Sequence, residues 1–169
     1  MPHRNVSNES ALDSISAYMN RTGQTVAVAE SVTSGELQSQ FSTAKDAMQF
    51  FQGGITAYNI TQKVRHLGVD PVHAMSCNCV SEIVSDEMSK NVIRFFNSDW
   101  GIGVTGYASP VPEKKIQELF AYVSIFHKEN KVFSAVIQAE NQDTVLVRKF
   151  YSGEILVMFA KLLKNCKNR

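Results

Sequence analysis

The chain has 169 residues, 44% of them hydrophobic and 20% charged, a balance typical of a globular domain, and the length suits one domain over 1–169 with a sizeable core. Seventeen Lys and Arg against sixteen Asp and Glu leave a net charge of +1, which argues against nucleic acid or an anionic membrane surface as a partner. No apolar run reaches the ~18 residues of a membrane span. The N-terminus lacks the apolar stretch of a signal peptide, and three cysteines cannot all pair, so the cytoplasm is the expected location.

In chain order, residues 1–9 are polar and read as a disordered lead-in. Ala11, Leu12, Ile15, Tyr18 and Met19 recur at helical spacing and predict an amphipathic helix over 10–21, stopped by Gly23. Residues 25–29 are small and β-branched, the pattern of a strand buried on both faces. After the turn at 31–35, a helix is expected from Thr33 or Ser34 through Leu37 towards Phe41. Residues 55–58 read as a strand following Gly53-Gly54, and 61–67 as a short helix ended by Gly68. Ser81 is placed to cap a long helix with the stripe Val84, Met88, Val92 and Phe95 or Phe96. Residues 100–104 form the next buried strand, and 109–118 an exposed loop. Two adjacent strands, 120–126 and 132–137, form a hairpin, and a last helix starts near Asp143. Alternating helices and buried strands predict a three-layer α/β/α sandwich on a mainly parallel mixed sheet of about five strands, one antiparallel.

In open α/β sheets ligands gather at the carboxyl ends of the strands, where helix N-termini present N–H groups. Ser31 sits there, between a strand and a helix. It is either a nucleophile, with N–H groups of the following turn as oxyanion donors, or part of a capping turn. Tyr58 ends the next strand, and Lys63 opens the next helix. A serine needs a base, and a buried lysine of depressed pKa can serve; surface lysine and core-edge tyrosine are the plainer readings. Residues 101–106 spell G-x-G-x-x-G, but the first glycines fall inside a strand, which speaks against a dinucleotide site. Thr105 and Gly106 still offer a hydroxyl and N–H groups to an anion. Cys77 and Cys79 with His73 lack the paired ligands of a structural zinc, and no metal is expected. A Ser-His-Asp triad would have to recruit His66, His73 or His127.

Taken together, four stretches resemble the C-terminal domain of the CinA (competence-damage-inducible) family. They are Ala29-Glu30-Ser31-Val32-Thr33-Ser34-Gly35, Gly53 to Asn59 with Lys63, Val80-Ser81-Glu82, and Gly103 to Pro110. The resemblance implies an α/β/α fold, often dimeric, and a nicotinamide mononucleotide deamidase that needs no metal or organic cofactor. It implies Ser31 as nucleophile, Tyr58 and Lys63 in proton transfer, and Glu30, Thr33, Ser34, Gly35, Thr105, Gly106 and Gln142 about a pyridine mononucleotide. The backbone of 33–35 would supply the oxyanion donors. The chain departs from the family at Ser34 (a glycine in the family), in the 108–115 loop, at Glu118-Leu119, and at Gln142, where an arginine is expected to hold the phosphate. Those departures carry the alternative expectation, a paralogue that binds a nucleotide without turning it over.

Overall fold

A computed structural model describes residues 6–140 and 143–166, with side chains from Asn8 onward. Five strands, β1 (Val26–Glu30), β2 (Phe51–Thr56), β3 (Trp100–Gly106), β4 (Leu119–His127) and β5 (Asn130–Ala139), form one sheet in the order β2-β1-β3-β4-β5. β1 pairs in parallel with both β2 and β3, while β4 is antiparallel to β3 and to β5. β4 alone therefore runs against the others, as the pattern predicts.

Each face of the sheet carries its own core. Val26 and Val28 of β1 join Trp100, Ile102 and Val104 of β3 beneath α1 (Val6–Thr22) and α7 (Thr144–Cys166). Ala27 and Ala29 point the other way, into a smaller core with Val84, Met88 and Val92 of α6 (Glu82–Phe96). Strand alternation thus converts one short apolar run into two interfaces. The G-x-G of β3 belongs to this packing. A Cβ at Gly101 would lie 2.1 Å from the carbonyl oxygen of Ser89, and one at Gly103 2.4 Å from that of Ser85. Those glycines let α6 lie directly on the strand, and no helix N-terminus follows them, so the dinucleotide reading has no footing here.

Several boundaries differ from expectation. α1 begins at Val6, so residues 6–9 are helical; residues 1–5 of the expected disordered lead-in lie outside the described residues. β2 starts at Phe51 and contains Gly53-Gly54, because a Cβ at Gly54 would strike Val28, and the strand can pair with β1 only without it. It ends at Thr56, which puts Tyr58 beyond it. α2 (Glu36–Ser42) starts later than Thr33 or Ser34, since Ser34 and Gly35 are both left-handed (φ +54° and +95°). Two short helices were not foreseen: α3 (Ala47–Phe50) and α5 (Pro71–Ser76), the latter capped by Asp70 with Pro71 in its first turn. α4 (Ile60–Leu67) and the Ser81 cap of α6, which accepts from the Val84 N–H at 3.2 Å, stand where the pattern puts them.

Candidate active site

Ser31 follows the last residue of β1 and is 6% exposed. Its N–H continues the sheet by donating to the Val104 carbonyl, 3.0 Å away, which fixes the hydroxyl at the carboxyl edge of the parallel strands. Lys63 lies on α4, whose first turn is held by Asn59 accepting from the Gln62 N–H. From there the lysine reaches inward, 2% exposed, and its Nζ donates to Ser31 Oγ at 2.8 Å. Among the described residues no carboxylate pairs with Lys63. Burial pushes its pKa below the ordinary lysine value, with a smaller opposing contribution from Cys79. A buried lysine pays for its desolvation by releasing its proton more readily, and a neutral amine beside a serine hydroxyl is a base in contact with a nucleophile.

A cavity of about 550 Å³ opens over this pair, within the range of small-molecule sites. β3 contributes Thr105 and Gly106, the 107–111 loop closes one side, and Tyr58, Asn59 and Ile60 close another. Thr144 and Arg148, from the first turns of α7, form the far wall. The lining includes two cationic side chains, Lys63 and Arg148, and neither Asp nor Glu. The Arg148 Nε is buried and makes no hydrogen bond. In a cavity whose lining holds no acid, that leaves the Arg148 Nε–H without a hydrogen-bond acceptor among the described residues.

The other expected site residues divide. Thr105 lines the cavity, but its hydroxyl donates to the Cys79 carbonyl at 2.7 Å and so holds the 77–79 turn. Gly106 lies at the end of β3, where a Cβ would meet the Phe120 carbonyl oxygen at 2.2 Å. Tyr58 reaches the cavity lining, 61% exposed, and among the described residues its hydroxyl forms no hydrogen bond, with Ser31 and Lys63 or otherwise. Glu30 is turned away from the cavity. Its fully buried carboxylate accepts from the N–H groups of Gly35, Leu37 and Gln38 at 3.0, 3.1 and 2.8 Å and organises the start of α2.

That arrangement engages part of the turn's backbone. The Ser34 N–H goes to the Ser31 carbonyl and the Gly35 N–H to Glu30, so the backbone of 34–35 is engaged. Val32 and Thr33 keep N–H groups that enter no hydrogen bond, and Val32 lines the cavity. The Thr33 side chain is fully buried outside the lining, with its hydroxyl unpartnered. Ser34 projects into solvent, so replacing a glycine there does not crowd the turn. Gln142 lies outside the described residues. Arg148, which simple alignment with position 142 sets aside as two turns too late, lines the cavity from α7, four residues after Thr144. The only signal was that i, i+4 spacing.

The metal and triad alternatives find no geometry. Among the described residues no cluster of three or more His, Cys, Asp or Glu could hold a metal ion. His73 contacts Ser81 Oγ at 2.9 Å, His127 stacks on Trp100, and no histidine is among the lining residues. Also among the described residues, no helix is long and apolar enough to cross a membrane.

A three-layer α/β/α domain with a buried Ser–Lys pair at the carboxyl edge of its parallel strands defines a narrow class. The CinA C-terminal domain pattern matches residues 8–160, and the chain belongs to that family. A CinA-like protein of Picosynechococcus is 31% identical over 147 residues, covering 86% of this chain and 35% of that protein. A putative competence-damage inducible protein of Streptococcus equi subsp. zooepidemicus is 30% identical over 150 residues, 89% of this chain and 35% of its own. The chain thus spans about a third of the length of these relatives. The same fold occurs in a competence or damage-inducible protein of Enterobacter asburiae (TM-score 0.87, 19% identity, 94% of this chain and 99% of that one). It occurs again in the competence/damage inducible protein CihA of Agrobacterium tumefaciens (TM-score 0.87, 18% identity, 96% and 99%).

Proposed function

We propose that the chain is an amidohydrolase that converts nicotinamide mononucleotide, or a closely related anionic carboxamide, to the carboxylate and ammonia. The observation that carries this reading is the 2.8 Å contact between Lys63 Nζ and Ser31 Oγ, with the lysine buried, free of any carboxylate and of lowered pKa. In the neutral amine form Lys63 accepts the Ser31 proton as Oγ attacks the carboxamide carbon. The oxygen of the tetrahedral intermediate takes its negative charge beside the Val32 and Thr33 N–H groups. The C–N bond then breaks, and the Lys63 ammonium returns its proton to the departing nitrogen, which leaves as ammonia. Water, deprotonated by the same amine, attacks the Ser31 ester; the bond from the acyl carbon to Oγ breaks, the Lys63 ammonium returns the proton to Ser31 Oγ, and the acid is released. One residue serves as base and acid in turn, the Ser–Lys variant of the triad logic. Arg148 takes the substrate's phosphate at the far wall, a role the sequence comparison gives to position 142.

The test is ammonia release from nicotinamide mononucleotide by the purified protein and by Ser31→Ala. Turnover abolished by Ser31→Ala, with an acyl adduct on Ser31 trapped in the unmodified protein, is the expected result. Activity retained without the hydroxyl overturns the reading. Binding of the nucleotide with no turnover in the unmodified protein replaces it with the binding module.

A further inference from the structure

Lys63 has a chemistry wider than proton transfer. Its Nζ lines the cavity, and among the described residues its one hydrogen-bond partner is the Ser31 hydroxyl at 2.8 Å. An ordinary lysine, with a pKa of about 10.4, is unprotonated in roughly one molecule in 2,500 at pH 7, and the protonated form has no electron pair to offer. Burial disfavours the Lys63 ammonium and enlarges the fraction that can attack carbon. Lys131 is the opposite case, since ion pairs to Glu82 and Asp86 hold its ammonium and raise its pKa.

The surroundings of that amine narrow what it can hold. Val32, Ile60, Ala74 and Val80 give the lining apolar surface, and about 550 Å³ leaves room for a ligand of mononucleotide size or smaller. Arg148 adds a fixed positive charge, with its buried Nε–H lacking an acceptor, and no Asp or Glu in the lining competes for it. A nucleophilic nitrogen and a cation in one cavity suit a molecule that carries an electrophilic carbon and an anionic group.

We propose that the cavity is also a reversible covalent site for small phosphorylated aldehydes, held as an imine on Lys63 with the phosphate on Arg148. Nζ attacks the aldehyde carbon and forms the C–N bond, while the carbonyl oxygen takes one proton from the nitrogen by way of the Ser31 hydroxyl. The second nitrogen proton then leaves with that hydroxyl as water, and the C=N bond forms. One aldehyde gives one imine and one water, and nothing is oxidised or reduced. An aldehyde carbon bears no leaving group, so attack by Ser31 stops at a reversible hemiacetal, whereas loss of water carries the Lys63 adduct on to the imine. While the imine stands, Lys63 cannot serve Ser31 as a base, so such an aldehyde silences hydrolysis. The inference shares the unprotonated Lys63 and the Arg148 anchor with the proposed reaction, but it needs no turnover at Ser31.

Pyridoxal 5′-phosphate is the probe, added to the full chain and followed by the visible absorbance of its imine. Borohydride then reduces the C=N bond to a stable secondary amine, which peptide mapping by mass spectrometry locates. A hemithioacetal on Cys79, the thiol in the same lining, is not fixed by this treatment. At one equivalent the expected result is a single adduct on Lys63, absent from Lys63→Met. Arg148→Ala is expected to raise the apparent Kd about 10–100-fold, the loss of one charge-assisted contact. Pyridoxal, which lacks the phosphate, should bind about as weakly and be indifferent to Arg148→Ala. Adducts spread over surface lysines, or a single adduct elsewhere, overturn the proposal; the map of the unmodified protein decides this without any variant having to fold. Unchanged affinity for pyridoxal 5′-phosphate in Arg148→Ala overturns the phosphorylated class. Ser31→Ala should keep the Lys63 adduct and lose ammonia release. Ammonia release without an adduct on Lys63 overturns this inference and leaves the hydrolase standing, and an adduct without ammonia release does the reverse.

Discussion

The two walls of the cavity were read from the sequence with unequal success, and the reason is physical. The β1 wall is local: Ser31 stands one residue beyond a strand and Lys63 four residues past an N-cap, so each is placed by its own element. The far wall is made by α7, more than a hundred residues later, and depends on how a long helix is rotated against the sheet. Helix rotation is set by packing: Val147 and Tyr151 are drawn into the core, and Tyr151 donates to the Tyr107 carbonyl at 3.0 Å. With those two residues inward, Arg148 is carried to the cavity. A position-by-position comparison looks for the phosphate-holding arginine at 142 and finds a glutamine, whereas the folded chain has a cation on that side from another turn of helix.

The comparison breaks most sharply at Lys63. Lys63→Met is expected to lower kcat/KM by at least ~10³-fold, since general base and acid are lost together. The same change is expected to raise the melting temperature by a few degrees, about 1 kcal/mol or more. A lysine whose folded pKa is depressed binds fewer protons folded than unfolded. Its penalty is therefore fully present at pH values below the folded pKa and relieved as pH rises towards the unfolded value of about 10.4. The stabilisation by Lys63→Met accordingly shrinks at alkaline pH. In the unmodified protein kcat/KM is expected to rise with pH along an ionisation lying below that of an ordinary lysine, and thermal melts and pH–rate profiles measure both. A pH-independent gain in stability would sink the assignment of a desolvated ammonium.

At the far wall, Arg148→Ala is expected to raise KM for a phosphorylated carboxamide about 10–100-fold with little change in kcat, the cost of one charge-assisted contact. The dephosphorylated nucleoside should be affected little by the same substitution. Equal losses on both substrates would remove Arg148 from the phosphate and return the question to position 142. This experiment sharpens the contrast between the walls, because it separates an anchor from a reacting group by which kinetic constant moves.

The fold was legible in most of its parts, and the failures have specific causes. Short, nearly continuous apolar runs pointed to the five strands, and the 3.6-residue stripe to α1, α6 and α7. β2 was expected to start only after Gly53-Gly54, while in the sheet the pair belongs to the strand, because a Cβ at Gly54 would strike Val28 of β1. Glu30 was placed at the substrate by the family resemblance alone, whereas its carboxylate holds the start of α2. Glu30→Gln is expected to cost about 2 kcal/mol, or roughly 5 °C in Tm, because a neutral amide cannot accept from three N–H groups at once. Activity per folded molecule should fall much less than with Lys63→Met. A loss of kcat without a loss of stability would restore Glu30 to the chemistry.

Tyr58 gives the smallest expected effect and the finest discrimination. Family resemblance assigns it to proton transfer, yet the residue lies two positions beyond β2, is 61% exposed, and among the described residues its hydroxyl is hydrogen-bonded to neither partner of the Ser–Lys pair. A group that moves a proton must come within hydrogen-bond reach of donor or acceptor, directly or through one water. Lys63 already meets that condition, and a second relay is redundant unless the 57–59 segment swings inward with substrate bound. Tyr58→Phe removes the hydroxyl and keeps the ring as a wall of the cavity. If Lys63 carries the proton alone, kcat should change by less than about threefold, and the pH–rate profile should keep its inflection. A fall of about 100-fold with KM unchanged would mean that the tyrosine closes onto the site during turnover, and that the Ser31–Lys63 contact is only part of the proton path.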